Sequence, residues 1–319
     1  MCVYLILVSF EAEGSGMELN MNTDLHPISS RFQSEADCIE AIIAMKWPNG
    51  FVCPRCAYTE CTRLSTRRLP LFECGRCSYQ ASPLVGTIFE RTHLPLVKWF
   101  RALELFLLPD GISALRLSQI IEVTYKTAWL MLHKIRHTLG ECDAQELLSG
   151  DVKVNCDQYA YDSLRYHPAA QPYATPVVAG CTVTESGEPE RVKIQLISHR
   201  RGDGQRANKH DVAAFIHKHV DVPTSTVQSY PLAFRLYLPL RKEVRAAWTS
   251  LRRTYIALGL THLQAYLNEY TVRRYLRMSF SEEEMHQNLL QMCLSIPAIP
   301  YRKLIAHYQN HFMAINAAA

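Results

Sequence analysis

The chain has 319 residues, 48% of them hydrophobic and 20% charged, with a formal net charge of +4. That length predicts two or three domains, and the composition is that of an ordinary soluble globular protein, not a fibrous or disordered one. No apolar run approaches the length of a membrane span, and eleven cysteines without an export signal point to a reducing, cytoplasmic setting rather than a disulfide scaffold.

Residues 1–30 read as an acidic flexible leader, with four acids (Glu11, Glu13, Glu18, Asp24) and no Lys or Arg, a net −4. Its opening run Val3–Val8 is apolar but brief and lacks a basic flank, which argues against a signal peptide; Met17 and Met21 are alternative starts. A unit at 31–92 follows. Ser34 with Asp37 three residues on predicts a capped helix, with Ala36, Ile39, Ile43 and Ala44 at helical spacing and a stop at Trp47-Pro48-Asn49-Gly50.

Next come Cys53-Pro54-Arg55-Cys56 and Cys74-Gly75-Arg76-Cys77, two pairs separated by seventeen residues. Paired spacing of this kind lets two knuckles converge on one tetrahedral site, and four thiolates suit a structural Zn2+. The segment is too short to bury a sufficient core, and metal ligation worth roughly 10–16 kcal/mol can replace it. A disulfide pair or four buried thiols are the competing readings. Between the pairs, Arg63, Leu64, Arg68, Leu71 and Phe72 suggest a hairpin with basic outer positions. The other cysteines (Cys2, Cys38, Cys61, Cys142, Cys156, Cys181, Cys293) read as free or buried thiols.

Residues 93–148 read as a helical domain. Pro95 suits the first turn of a helix over about Leu96–Leu108, which Pro109-Asp110-Gly111 stops. Ser113 caps a second helix, Glu122-Val123 makes a break, Thr124 caps a third, and Gly140 ends it. Two helices with a tight break predict a helix-turn-helix. In that motif the first turn of the second helix meets base edges, which assigns Tyr125, Lys126 and Thr127 to bases and Arg116, Lys134 and Arg136 to phosphates. The competing reading is a helical hairpin in a bundle whose charges are merely solvated.

Residues 149–278 change character. Val152–Val154, Pro176–Thr184, Arg191–Ile197 and Thr226-Val227 read as strands, Asp211–His219 and the chain beyond Leu238 as helices, an order that suits a mixed α/β domain. A basic loop lies at His199-Arg200-Arg201, and Arg241, Lys242, Arg245, Arg252, Arg253, Arg273, Arg274 and Arg277 make the late segment basic. The segment reads either as a nucleic-acid contact or as a solvated charged face. Residues 279–319 read as a helical tail. His307 and His311 are four apart, but with His286 they complete no metal signature, so capping or solvent-facing roles are expected.

Several stretches resemble one family, the insertion-sequence transposases with an amino-terminal zinc ribbon and an RNase H-like DDE domain (ISXO2-like). They are Lys46–Cys56, Gly86–Thr92, Gly111–Leu115, Tyr125–Arg136 and His262–Tyr270, set within a likeness running from about Phe32 to Arg277. The resemblance implies a multidomain α+β fold: zinc ribbon, helix-turn-helix domain and an RNase H-like α/β domain. It implies double-stranded DNA as partner, at the terminal inverted repeats of an insertion sequence, with self-association as a further option and no membrane role. The family's chemistry uses carboxylates to hold divalent metals that activate a water or a DNA 3′-hydroxyl.

Here the chain departs from the family. The slots for its acids hold Asn155 (Cys156 on a second count), Gln228 and Ala246. Asp157, one strand repeat on, and Glu243, one helical turn before Ala246, are stand-ins. The nearest acid to the second slot, Asp221, is separated from the strand by Pro223. The expectation is a transposase-family DNA-binding protein whose RNase H-like domain is degenerate, with Mg2+ needed only if catalysis survives. The alternatives are an active DDE-type enzyme with a rearranged acidic site, and a zinc-dependent transcription regulator or protein-interaction module.

Overall fold

The computed structural model describes residues 32–65, 69–160, 174–197, 207–232, 235–255, 258 and 260–305. The acidic leader, Arg68, the His199-Arg200-Arg201 loop, His307 and His311 lie outside them.

The chain opens with α1 (Glu35–Lys46). The Ser34 hydroxyl accepts from the Asp37 amide at 3.2 Å, and Asp37 accepts from the Ser34 amide at 3.0 Å, satisfying two donors that a helix start leaves open. A three-stranded antiparallel sheet follows in the order β1 (Cys61–Leu64), β2 (Leu71–Cys74), β3 (Gln80–Ala81). Then come α2 (Leu96–Phe106), α3 (Ala114–Ile120) and α4 (Tyr125–Gln145). Ser113 and Thr124 cap α3 and α4 through Arg116 N and Thr127 N, both at 3.2 Å. Between them Glu122 takes φ 52°, a left-handed turn that a non-glycine residue rarely adopts.

α4 does not end at Gly140; it runs through to Gln145. Gly140 is small for another reason. A Cβ there would lie 3.0 Å from Asn268 Nδ2, so the glycine lets a later helix approach rather than stopping its own.

The second half holds β4 (Leu148–Ala160), β5 (Ala174–Val183), β6 (Pro189–Leu196), α5 (Lys209–His219), β7 (Val220–Tyr230), α6 (Leu238–Thr254), α7 (Leu260–Ser279) and α8 (Glu282–Ser295). The sheet order is β6-β5-β4-β7, antiparallel except for the parallel β4–β7 pair; α5 leads from the edge strand β6 to the opposite edge strand β7. β7 is far longer than the Thr226-Val227 pair suggests and includes Asp221 and Pro223. The register shifts between the Leu148–Val220 and Gly150–Ser225 pairings, and Pro223, which has no N–H for a ladder, falls in that irregularity.

The alternation of the strands divides the core. Val152, Val154 and Cys156 pack with Val212 and Phe215 of α5 on one face. Val177, Ala179, Cys181 and Ile194 pack with Leu240, Val244, Leu251 and Leu267 of α6 and α7 on the other. A separate core joins α1, α2, α3, α4 and the end of α7, with Ile42, Phe89, Phe100, Leu117, Leu132 and Leu276. α8 contributes Met285, Leu289 and Cys293 to that first core. So α8 closes the amino-terminal helical layer.

Candidate metal centre and nucleic-acid interface

The two cysteine pairs sit on matching turns. Cys53 N donates to Tyr58 O at 2.9 Å, and Ala57 N donates to Cys53 O at 2.9 Å. The second turn repeats this with Cys74 N to Tyr79 O and Ser78 N to Cys74 O, both at 3.0 Å. Ala57 (φ 58°) and Ser78 (φ 54°) carry the left-handed residue that each turn needs. Cys53 and Cys74 are 2% and 1% exposed on a small core of Phe51, Phe72 and Ala81, with Trp47 packed 4.8 Å from the Phe72 ring.

The four sulfurs lie within 4.8 Å of one another. The Sγ separations are 3.6 Å for Cys53–Cys77, 3.6 Å for Cys56–Cys74 and 3.4 Å for Cys56–Cys77. A tetrahedral ion with bonds of about 2.3 Å needs sulfurs about 3.8 Å apart, so the set fits zinc with an adjustment of at most about 1 Å in any pair. Burial raises the Cys74 thiol, but amide donors from Cys77 and Arg76 and the neighbouring thiols outweigh it and bring it down to about 7. Arg76 N points at Cys74 Sγ from 3.4 Å. Among the described residues no other group of three or more His, Cys, Asp or Glu side chains converges in this way. Lys46 fixes the ribbon to the helical layer by donating to the carbonyls of Pro83 (2.9 Å) and Val85.

At the start of α4, Tyr125 is 54% exposed, Lys126 is exposed, and Thr127 is half-buried with its hydroxyl 2.9 Å from that of Thr124. Arg116 is exposed on α3. Lys134 is half-buried, its ammonium 5.9 Å from the centre of the Trp99 ring.

Arg136 corrects the sequence reading. It is 1% exposed and faces no solvent for a phosphate. Its Nε donates to Glu269 Oε2 at 2.5 Å, its Nη2 donates to the Tyr255 hydroxyl at 3.1 Å, and the Tyr266 ring lies 4.0 Å away. The late basic segment is likewise divided. Arg273 is buried on Glu269 at 2.8 Å, Arg274 pairs with Glu243 at 2.6 Å, and Arg277 donates to Leu107 O at 2.7 Å. These three arginines hold the fold together.

Among the described residues no carboxylates converge at the sheet. Asn155 is fully buried and makes two hydrogen bonds to one residue: Nδ2 donates to Tyr237 O and Oδ1 accepts from Tyr237 N, both at 2.9 Å. Tyr237 caps α6, so Asn155 fixes where that helix begins. Gln228 stands opposite Lys153 on the parallel pair, and Lys153 Nζ donates to Gln228 Oε1 at 2.9 Å and to Asp151 at 2.8 Å. Ala246 is exposed on α6. Asp157 is 10% exposed and 4.0 Å from Arg241; burial pushes its carboxyl up, against the pull of Arg241 and Arg245. Glu243 is taken by Arg274.

The cysteine spacing and the helix caps were readable in the chain. The Arg136–Glu269 pair and the Asn155–Tyr237 bridge were not, because each joins residues more than eighty positions apart.

Residues 33–80 match the transposase zinc-ribbon domain. Over 126 residues the chain is 28% identical to an uncharacterized protein in transposable element ISH50 of Halobacterium salinarum, a stretch covering 39% of this chain and 42% of that relative. The match therefore spans about two-fifths of the relative's length. No solved structure matches the chain, and no described helix is long and apolar enough to cross a membrane. The ribbon of this chain is thus similar to the zinc ribbon of transposases, and about two-fifths of the chain to a protein of a transposable element.

Proposed function

We propose that the chain is a transposase-family DNA-binding protein that recognises the ends of an insertion sequence and has lost the carboxylates for strand transfer. A zinc ion held by Cys53, Cys56, Cys74 and Cys77 organises the ribbon. α3 and α4 act as the helix-turn-helix, with Tyr125, Lys126 and Thr127 at base edges and Arg116 and Lys134 toward the phosphates. The mixed four-stranded sheet, flanked by α5 on one face and α6 and α7 on the other, is the degenerate RNase H-like domain.

The observation that carries the reading is the contrast between two sites. Four sulfurs converge within 4.8 Å, whereas the strand positions that would carry acids hold Asn155 and Gln228, and Gln228 accepts from an ammonium. A hard divalent cation needs charged oxygens. A lysine 2.9 Å from the slot opposes that binding by its own charge. The rearranged-site alternative draws no support from Asp157 and Glu243, since each faces an arginine.

The test uses zinc-loaded full-length protein and a duplex bearing the terminal repeat of the element that encodes it. Binding that discriminates this end from a scrambled duplex, with no nicking in Mg2+ or Mn2+, is expected. Robust nicking that Asp157→Ala abolishes would overturn the inactive reading. Duplex binding that barely responds to salt would favour a regulator with protein partners, because phosphate contacts release counterions.

A further inference from the structure

α6 has a sharply divided surface. At 100° per residue, Leu240, Val244, Ala247 and Leu251 lie on one side, and all four are at most 1% exposed. On the opposite side, within an arc of about 80°, lie Lys242, Arg245, Thr249 and Arg252, all exposed. The acid of this helix, Glu243, points elsewhere and is neutralised by Arg274 at 2.6 Å. Arg273 and Arg274 are held in ion pairs and Arg277 on a backbone carbonyl, whereas none of these three cations is held in an ion pair among the described residues. Arg252 lies 5.6 Å from the centre of the Trp248 ring, which limits where its guanidinium can point.

The stripe runs about 15 Å from Lys242 to Arg252, long enough to meet several phosphates along one strand. It also ends beside the other candidate DNA surface. At the end of α6, Arg253 meets Asp110 at 3.3 Å and the Thr254 hydroxyl donates to the Asp110 carbonyl at 2.5 Å. Asp110 lies three residues before Ser113, the cap of α3.

We infer that the outer face of α6 is a second, sequence-independent DNA surface, on which Lys242, Arg245 and Arg252 bind the phosphate backbone of duplex DNA. This rests on duplex DNA being the partner, as proposed above, but not on end recognition by α4. The stripe holds the duplex, and the first turn of α4 supplies the discrimination. The face is not built for an apolar partner: within the stripe there is no acid, and between its cations stands Thr249.

The test compares the full-length protein with K242Q/R245Q/R252Q, K242R/R245K/R252K and, separately, K126Q, by fluorescence anisotropy on an unrelated duplex and on the terminal repeat across a salt series. At about 0.9 of log–log slope per phosphate contact, the glutamine triple variant should lose about 2.7 in slope on both duplexes and keep its preference for the repeat. The charge-preserving variant should bind like the parent. K126Q should lose preference while keeping most of the binding to the unrelated duplex. Because all three positions are exposed, the thermal midpoint should not move, which separates lost contact from lost fold. An unchanged slope in the glutamine variant overturns the inference, whatever K126Q does. A parent that binds both duplexes alike, with the slope still lost in the glutamine variant, overturns end recognition and leaves the α6 surface standing. A parent that binds neither duplex overturns both.

Discussion

Arg136 of α4 donates its Nε to Glu269 Oε2 of α7 at 2.5 Å, with both side chains at most 1% exposed. Two residues 133 positions apart thus join the helix that begins at Tyr125 to the layer that covers the sheet. Tyr255 and Arg273 complete the network, each reaching Glu269 Oε1, at 3.1 and 2.8 Å. Desolvation favours the neutral form of Arg136, and the Glu269 carboxylate overcomes it and raises its basicity.

Removing one partner strands a charge in the interior. Glu269→Gln or Arg136→Met should cost roughly 3–5 kcal/mol in urea or guanidinium unfolding. Replacing Arg136, Glu269 and Arg273 together by apolar residues should recover part of that loss, since it leaves no charge of this network buried and uncompensated. Equal losses in the single and triple variants would remove the network from its proposed place in the fold.

Gly111 stands against the same network. Its φ is +73°, and a Cβ would fall 2.1 Å from Arg273 Nη1 and 3.0 Å from Glu269 Oε1. Gly111→Ala should destabilise by roughly 1–3 kcal/mol through left-handed strain and displacement of the arginine. A neutral result in denaturant titration would show that the guanidinium has room to retreat.

Metal removal tests the ribbon. One zinc per chain should be measured by elemental analysis, and Cys74→Ser or prolonged chelation should release it. Because metal binding supplies much of the ribbon's folding free energy, loss of zinc should expose residues 47–81 to proteolysis while the helical core persists. Full stoichiometry in the Cys74→Ser protein would contradict a four-thiolate site.

Asn155→Asp places an acid at the proposed slot without building a metal site around it. A carboxylate can accept from Tyr237 N, but it cannot donate to Tyr237 O, which lies 2.9 Å from the present amide nitrogen. The variant should lose roughly 1–3 kcal/mol of stability and gain no metal-dependent nicking, since Lys153 still occupies Gln228. Gain of nicking in Mn2+ would mean that one acid suffices to recreate the site.

Acid should loosen the junction of α5 and β6. Burial, followed by the charges of Lys218 and Lys193, brings His219 down to about 3. The folded state therefore resists a proton that the unfolded chain accepts near the ordinary histidine value of about 6.5. The stability from keeping His219 neutral is fully present above that value and is lost as pH falls toward 3. His133, fully buried, is shifted in the same direction, again mainly by burial. His219→Asn should flatten, without abolishing, the fall of the thermal midpoint across this window.

The legible parts of the chain were local. Ser34 with Asp37, Ser113 and Thr124 mark helix starts because a cap and the amide it serves are three residues apart. The cysteine turns are legible because each is set by six consecutive residues, 53–58 and 74–79. Gly140 misled because a glycine in a helical pattern signals either a stop or a close approach, and only Asn268 on another helix tells which. Pro223 misled because a strand accepts proline where its ladder is already interrupted.

The sequence by itself determined the sulfur set, the helix starts and the uncharged residues Asn155 and Gln228 on their strands, since these depend on residue type and short-range spacing. Only the tertiary structure decided which cations are free. Arg136 and Arg273 are enclosed by Glu269, while Lys242, Arg245 and Arg252 remain in solvent. The physical reason is that an arginine's role follows from the carboxylate within reach of it, and that carboxylate is brought there by packing between helices distant in the chain.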